Sequence, residues 1–547
     1  MSRVLAVAAA AAVAGVLFVG SLSTLWPLVD ADLTASPAAL ERQAREFLSG
    51  RGFDLAGYES ASVVTVDAEA LDWAERAFGR ERTQEWIREG LPFVEYQVAL
   101  KRAGDPHSLA VRIQPNVGVT GWSRRTEEDD PGASVEPAAA RGLAVDALSG
   151  GLGLTVDSWT ERSATVFERP ARRDHAFTFE RTLSAQPELR ERAVVVVAGD
   201  RVVQAERRVV VPGPARRAAR AAEAPGRALE TAGFVVLAIA AAAAFWVFLT
   251  RLRAGAVRLE RAAALAGIAW LCLVGTWFLQ TGSLFAAWEP LWPRWVATFQ
   301  TLALRAAEQF WMVLVLLALI AAGDSLDRET GAGRGEALWS FLALRWRDRE
   351  VGRSAVLGWL VGLLAGGALA AAVLALGALA GAPTALQPRG FFFYALNSAS
   401  PALSTLLFFL NVALLEELGY RFFAGAWLES LGARPWVAIV VPAAIYGLTH
   451  TRLDFLPPAE PFWARPLALT AVGCVWGWAF FRFGALAVVL SHWTADLFIF
   501  NWPRLASGKP ATVAVAVATV LVPLIPVLFS LRSGPTDPRR PPASLPR

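Results

Sequence analysis

Cysteine and histidine are scarce in this sequence, which has two cysteines and four histidines among 547 residues. Cys272 and Cys474 both lie within apolar runs, so a disulfide framework is excluded for the polar part of the chain. There is no CxxC pair for a redox or metal site.

Charged residues are also few, at 18% of the chain, whereas 55% of the residues are hydrophobic and 22 are tryptophan. The net charge is only +4, and nearly all the cationic residues are arginine. No basic patch with interleaved aromatic residues is present, so we expect no nucleic-acid partner. This composition is typical of a polytopic membrane protein.

Apolar runs of about twenty residues, each long enough to cross a hydrocarbon core of ~30 Å, recur along the chain. The first run, at 4–29, is longer than a usual signal-peptide core and lacks a clean cleavage site. We therefore interpret residues 1–29 as an uncleaved transmembrane anchor, with a signal peptide as the alternative. Further spans are predicted near 231–250, 263–283, 298–323, 355–381, 397–428, 436–452, 466–481, 484–501 and 511–531, which gives about ten transmembrane helices.

Residues 30–230 are polar and contain no spanning run. Helical patterns alternate there with strand-like segments, which predicts an α+β domain. The clearest strand-like segments are "VEYQVAL" (94–100), "SLAVRI" (108–113), "HAFTFE" (175–180) and "RAVVVV" (192–197). "AREFLSG" (44–50) is echoed by "AVDALSG" (144–150), which indicates two related modules unless the similarity arises by chance.

Arginine is concentrated in alternate loops, and cytoplasmic loops collect cationic residues. The arginine-rich segments are 251–261, 324–353 and the C-terminal tail. This pattern predicts that both termini are cytoplasmic. It also predicts that residues 30–230 are extracytoplasmic, as the domain between the first and second spans of a protein in the cytoplasmic (inner) membrane of a bacterium.

The stretch "LLEELGYRFF" (414–423) places three charges in an apolar helix, where each costs roughly 2.5–3.5 kcal/mol at the bilayer centre. Glu417 and Arg421 are four residues apart and can pair on one face of the helix. Glu416 is rotated by about 100° from that face and has no partner within its own helix. We therefore expect Glu417 to form an ion pair and Glu416 to be free for proton transfer.

Two histidines and an aspartate complete the polar set of the apolar segments. His492 and Asp496 are four residues apart, so the carboxylate can orient the imidazole. Counting 1.5 Å per residue from the predicted turns places Glu416, His450 and His492 at similar depths of about 15–21 Å. Such a set can deprotonate a water molecule and stabilise an oxyanion. Ion pairs that only fix helix register are the structural alternative.

Three motifs resemble those of the CPBP family, the CAAX-processing and bacteriocin-processing intramembrane endopeptidases. "EELGYR" (416–421) matches the EExxxR motif, "YGLTH" (446–450) resembles the aromatic-xxx-His motif, and "HWTAD" (492–496) resembles the His-xxx-Asn/Asp motif. The motifs occur in order on separate predicted spans. The resemblance covers roughly 397–501 and does not extend to 30–230.

The resemblance implies a role for each motif residue. Glu416 would be the general base, His450 would help to hold the water molecule, and Glu417 with Arg421 would support the site. His492 and Asp496 would form the oxyanion-binding pair. An ionised Asp496 cannot donate a hydrogen bond, so we expect it to orient His492 or to bind a metal.

Metal use stays open at this point. Glu416, His450 and His492 could ligate Zn²⁺ with one open position, but the spacing of these residues is not HExxH. No other cofactor is expected.

We therefore expect an intramembrane endopeptidase that acts on a membrane-associated peptide or protein within the lipid bilayer. Residues 231–396 would form transmembrane helices with a cytoplasmic arginine-rich loop at 324–353, residues 397–501 the catalytic core, and residues 502–547 the last helix and a cytoplasmic tail. A non-proteolytic membrane scaffold or immunity protein is one alternative. An ion-coupled transporter is another, although its two halves would lack the expected inverted repeats and broken helices.

Overall fold

The computed structural model describes residues 2–26, 28–29, 31–183, 186–380, 395–451 and 461–531. The tail predicted to be cytoplasmic lies outside the described residues from 532 onward. Most of the described chain is helical, and a single eight-stranded sheet lies in its N-terminal part. The predicted combination of a mainly helical membrane protein with an N-terminal α+β region is confirmed.

The sheet region, which we call the sheet domain, contains five short helices and eight strands. The helices are α2 (Leu22–Leu25), α3 (Pro37–Ser49), α4 (Ala68–Phe78), α5 (Arg80–Arg88) and α6 (Pro137–Asp146). The strands are β1 (Glu59–Val66), β2 (Val94–Lys101), β3 (Leu109–Gln114), β4 (Gly118–Arg124), β5 (Thr160–Glu168), β6 (Arg173–Leu183), β7 (Gln186–Ala198) and β8 (Arg201–Val210). The four strand-like segments predicted from the sequence correspond to β2, β3, β6 and β7.

The strands pair in the order β1-β2-β3-β4-β8-β7-β6-β5, and every pair is antiparallel. The sheet is thus made of two four-stranded meanders that meet where β4 pairs with β8. A helix precedes each meander, α3 in the first half and α6 in the second. The evolutionary relation between the two halves stays a prediction.

The apolar faces of α3 and α6 cover the sheet and form its core. Leu40 and Leu48 of α3 are buried together with Val98 and Val111 of the sheet, and Ala144 of α6 belongs to the same cluster. Full burial of a large aliphatic side chain contributes about 1.5–3 kcal/mol. Burial alternates along β3 and β8, as expected for strands with one face on a core, whereas β2 is buried along nearly its whole length.

The remaining helices form the helical domain. They are α1 (Ser2–Gly20), α7 (Gly213–Arg253), α8 (Leu259–Leu279), α9 (Thr281–Ala287), α10 (Arg294–Glu308), α11 (Phe310–Thr330), α12 (Glu336–Leu342), α13 (Arg349–Ala380), α14 (Pro401–Glu416), α15 (Ala424–Ser430), α16 (Pro435–Thr449), α17 (Ala464–Phe483), α18 (Ala485–Phe500), α19 (Trp502–Leu505), α20 (Pro510–Leu521) and α21 (Ile525–Ser530). Helix α7 carries the chain from the sheet domain into the helical domain without interruption at residue 230.

Seven helical stretches of the described chain are long and apolar enough to cross a membrane, and three further apolar helices are shorter. The shorter ones are Leu5–Gly20, Pro435–Thr449 and Ala485–Phe500. Each predicted span overlaps one of these stretches. The protein is therefore a multi-pass membrane protein, while the number of crossings and their orientation stay predictions.

The sheet domain is fastened to one end of the helical domain by polar contacts. The Lys101 ammonium donates to the carbonyl oxygens of Ala286 (2.7 Å) and Trp288 (2.5 Å). The backbone N–H of Val64 donates to the side-chain oxygen of Asn397 at 2.7 Å. Helix α9 and the segment that precedes α14 therefore meet the sheet domain at its β1–β2 edge.

At the opposite end of the helical domain, Arg334 joins three elements. Its guanidinium forms a bidentate ion pair with Glu429 at 2.5 and 2.9 Å, and its carbonyl oxygen accepts from the N–H of Ala485 at 2.9 Å. The turn between α17 and α18 is made by Gly484 at φ +87°, where an added Cβ would lie 2.7 Å from the Arg334 carbonyl oxygen. These contacts fix the relative positions, along the helix axes, of the helices that carry the polar residues.

Candidate active site

The helix that carries the two glutamates changes its winding at the glutamates. Helix α14 ends at Glu416, a π-helical segment follows at Glu417–Phe423, and α15 continues in the same direction. Single π-helical turns inside α-helices occur frequently at functional sites. The wider turn begins at Glu417, the first residue of the predicted ion pair.

The ion pair between Glu417 and Arg421 is present, with 3.0 Å between Nη1 and Oε1. Both side chains are buried, with exposed fractions of 0% and 2%. Arg421 also donates to the carbonyl oxygen of Gly473 at 3.3 Å, and its guanidinium lies 5.1 Å from the Tyr446 ring centroid and 5.5 Å from that of Trp476. The charge of Arg421 is therefore neutralised by one carboxylate and further stabilised by aromatic faces.

His492 lies among three carboxylates. Its Nδ1 is 2.6 Å from Oε1 of Glu417, while its Nε2 is 3.4 Å from Asp496 and 3.7 Å from Glu416. The expected contact with Asp496 exists, but the sequence analysis missed Glu417 as the group that holds Nδ1. The reason is that Asp496 lies one turn further along α18 and approaches the Nε2 side of the ring.

His450 faces the other oxygen of Glu416. The distance between His450 Nε2 and Glu416 Oε1 is 3.3 Å, and His450 Nδ1 lies 2.8 Å from the carbonyl oxygen of Tyr446. Because a carbonyl oxygen only accepts, Nδ1 carries the hydrogen, an assignment inferred from the hydrogen-bond network. In the neutral imidazole, Nε2 is then a lone-pair acceptor directed at Glu416.

The two adjacent glutamates have different surroundings. Glu416 retains a 16% exposed side chain, whereas Glu417 is fully buried. Within the described residues, Oε2 of Glu416 has no hydrogen-bond partner. Oε2 of Glu417 likewise has none. What distinguishes Glu416 is its position beside Nε2 of both histidines, at 3.3 Å from His450 and 3.7 Å from His492.

Two aromatic residues that the sequence analysis did not assign to the site fix the histidine rings. Trp476 stacks on His492 with 3.9 Å between ring centroids and 16° between planes. Tyr446 packs on His450 with 4.2 Å between centroids. Trp476 lies on α17 outside the three motifs, and nothing in its local sequence distinguishes it from the other tryptophans of the apolar segments.

Small residues of α13 set the position of the helix that carries His492. A Cβ added at Gly362 would lie 2.6 Å from the carbonyl oxygen of Ser491, and one at Gly358 would lie 2.6 Å from that of Ala487. Glycines four residues apart allow two helix backbones to approach closely. Helix α18 therefore packs on α13 at the level of the site.

We tested whether the side chains fit a bound metal ion. Among the residues that the structure describes, no group of three or more His, Cys, Asp or Glu side chains has an arrangement that would hold one. The set does not fit Zn²⁺ in this arrangement, so we derive no step through a metal.

The fold and the site define a multi-pass membrane protein with a buried cluster of three carboxylates, two histidines and an arginine. Residues 398–498 match the family model described as "Type II CAAX prenyl endopeptidase Rce1-like". This match confirms the resemblance predicted from the three motifs, over the segment that contains them. No curated protein and no solved structure was found to match the chain.

Proposed function

We propose that the protein is an intramembrane endopeptidase that hydrolyses a peptide bond of a membrane-associated polypeptide with a water molecule activated by Glu416. The observation that carries the proposal is the unpartnered Oε2 of Glu416 beside His450 and His492. The match of residues 398–498 to an endopeptidase family supports the same reaction class. The proposed location is the cytoplasmic membrane, with the sheet domain on the extracytoplasmic side.

The first step is attack by water on the scissile carbonyl carbon. A water molecule bound between Glu416 and His450 transfers a proton to Glu416 as its oxygen forms the new C–O bond. The bond between His450 Nδ1 and the Tyr446 carbonyl oxygen keeps His450 Nε2 available to accept a hydrogen bond from that water. General base catalysis of this kind contributes typically 10²–10⁴-fold.

His492 stabilises the negative charge that develops on the carbonyl oxygen. In its protonated form it donates from Nδ1 to Glu417 and presents Nε2–H to the oxyanion. A donor held in place before the reaction stabilises charge without reorganisation cost. The protonated Glu416 then returns its proton to the leaving nitrogen as the C–N bond breaks.

Asp496 and Glu417 act as positioning residues in this scheme. Glu417 holds His492 and Arg421 together, whereas Asp496 lies 3.4 Å from His492 Nε2. An ionised Asp496 accepts a hydrogen bond from Nε2 in the resting site, and it releases Nε2 when a substrate carbonyl oxygen enters.

The experiment is a comparison of peptide termini in membranes that contain the wild type or Glu416→Gln. New termini that appear only with the wild type identify substrates, and a synthetic peptide across the cut then serves for the purified protein. Glu308→Gln, an exposed change on α10, is the matched control and should behave as the wild type. Identical termini with wild type and Glu416→Gln would instead favour the non-proteolytic scaffold.

A further inference from the structure

The sheet domain contains a second candidate site, a cleft of about 990 Å³ where the two meanders meet. The cleft is at the upper end of the volume range of ligand pockets, about 300–1,000 Å³. Its walls come from the end of α3, the β2–β3 hairpin, β4, α6 and the start of β8. Its apolar lining includes Phe53 and Trp122, whose rings meet edge to face at 5.8 Å.

Four arginines line the cleft, and two of them are already committed to the fold. Arg51 donates to the carbonyl oxygens of Gly150 (3.3 Å) and Gly151 (2.9 Å), which joins the loop after α3 to the π-helical segment Ala147–Gly151 that follows α6. Arg102 pairs with Asp105 at 2.7 Å. Both side chains therefore stabilise the walls of the cleft and are not available to bind a ligand.

The other two arginines lack a close carboxylate. The side chain of Arg124 has no hydrogen bond or ion pair in the described part of the chain. The nearest carboxylate oxygen to Arg201 belongs to Asp200, at 4.0 Å, and the Arg201 side chain is 78% exposed. Both lie on the sheet side of the cleft, at the last residue of β4 and the first of β8.

Three aspartates line the cleft, Asp54, Asp105 and Asp146, and Asp105 is already saturated with hydrogen bonds. Asp105 accepts from Tyr58 (2.8 Å), from Arg102 (2.7 Å) and from the backbone and ring N–H groups of His107 (2.9 Å each). It therefore has little capacity left to neutralise Arg124 or Arg201. A carboxylate from outside the chain is the ligand group that a planar guanidinium binds with two parallel hydrogen bonds.

The cleft adjoins the surface where the helical domain begins. The β2–β3 hairpin rests on it, with the N–H of Gly104 donating to the carbonyl oxygen of Pro290 at 2.7 Å. The next residues include the exposed Trp292 (65%) and Trp295 (73%), and tryptophans of this kind lie at membrane–water interfaces. A polypeptide that leaves the bilayer there can enter the cleft directly.

We propose that this cleft binds an acidic juxtamembrane segment of a membrane-anchored polypeptide, with Arg124 and Arg201 holding its carboxylates and the Phe53–Trp122 surface holding an apolar side chain. This binding site lies outside the proposed catalytic cluster. Its occupancy is measured as binding, so it is tested whether or not Glu416 catalyses hydrolysis.

The test uses the full chain with Glu416→Gln in phosphatidylcholine nanodiscs. The probe is a fluorescein-labelled ten-residue peptide of alternating Glu and Ser with a central Leu, measured by fluorescence anisotropy. We expect this peptide to bind at least tenfold more tightly than the same peptide with Gln in place of Glu. We also expect binding to weaken at least tenfold in the double variant Arg124→Glu/Arg201→Glu. The second double variant, Arg124→Gln/Arg201→Gln, removes both charges without reversing them.

Arg208→Glu is the matched control because Arg208 is an exposed residue of β8 that does not line the cleft. It should bind the probe within twofold of the parent. The proposal is overturned by equal binding of the Gln peptide, by absence of binding, or by unchanged binding in both arginine variants. Displacement of the probe by inorganic phosphate would define a simple anion site instead. Displacement by phosphatidylglycerol in the nanodisc, but not by phosphate, would define a lipid headgroup site.

Discussion

Neutralising either of the two adjacent glutamates is predicted to suppress catalysis, but only the change at Glu417 is predicted to destabilise the protein. Glu417→Gln removes the charge that Arg421 and His492 both contact, at 3.0 and 2.6 Å. Glu416→Gln removes a charge that makes only longer contacts, at 3.3 Å to His450 and 3.7 Å to His492. One change breaks a buried pair, whereas the other removes a desolvated charge.

The magnitudes follow from these surroundings. Two hydrogen bonds to a charged group contribute about 1.5–3 kcal/mol each, and loss of one partner from a buried ion pair costs about 3–5 kcal/mol. Glu417→Gln is therefore expected to lower the free energy of unfolding by about 3–5 kcal/mol. Glu416→Gln should leave that free energy unchanged or raise it, since active sites hold groups that are costly for stability.

The assay is unfolding of the purified protein in detergent by denaturant titration, followed by tryptophan fluorescence, together with the cleavage rate of the synthetic substrate. Glu308→Gln again serves as the control. Equal destabilisation by the two glutamine variants would refute the separation of roles, because it would mean that Glu416 is a structural partner like Glu417.

Three further outcomes are expected. Gly362→Ala should destabilise the protein and slow cleavage by shifting His492. Gly267→Ala on α8, where an added Cβ meets nothing within 4 Å, should instead raise the free energy of unfolding by up to about 1 kcal/mol. Equal effects of the two changes on that free energy would contradict the close packing of α13 on α18. Burial raises the pKa of Asp105, but hydrogen bonds from His107, Tyr58 and Arg102 outweigh this effect and hold that pKa well below its usual value. The stability that Asp105 gives to the sheet domain should therefore be present above about pH 4 and be lost as the pH falls toward the lowered pKa. In acid unfolding curves, Asp105→Asn should make the stability of the sheet domain less dependent on pH. Cleavage by purified protein should persist after chelator treatment with less than one bound metal per chain by elemental analysis; loss of activity that Zn²⁺ restores would show that the site rearranges around a metal.

Structural features that follow from a repeat or a spacing of a few residues in the sequence were predictable. The strands of the sheet domain and the apolar helices follow from alternation and run length, because burial repeats every two residues in a strand and is continuous in a membrane helix. The Glu417–Arg421 pair followed from a spacing of four residues on one helix. Local spacing was sufficient because both partners belong to the same element.

Features that depend on contacts between helices were not predictable. The bond from Glu417 to His492 joins residues that are 75 positions apart, and the stacking of Trp476 on His492 joins α17 to α18. Helix periodicity indicates which face of a helix is polar but does not specify the rotation of one helix against another. The spacing of Asp496 and His492 placed the carboxylate beside the ring, at 3.4 Å from Nε2, but it did not specify which ring nitrogen the carboxylate faces.

The cleft of the sheet domain was also not predictable from the sequence. Arg124 and Arg201 are 77 residues apart in the chain and come together because β4 pairs with β8. That pairing joins the ends of the two meanders, and no local pattern specifies it. The repeat at 44–50 and 144–150 predicted two halves but not the edge at which they meet.

The most direct test of the central claim is hydrolysis of the identified peptide by the purified protein in H₂¹⁸O, wild type against Glu416→Gln. The account predicts one ¹⁸O atom in the new carboxyl terminus and a rate at least 10²-fold lower in the variant, with folding unchanged. Cleavage by Glu416→Gln at the wild-type rate, or no cleavage of any membrane peptide by the wild type, would contradict it.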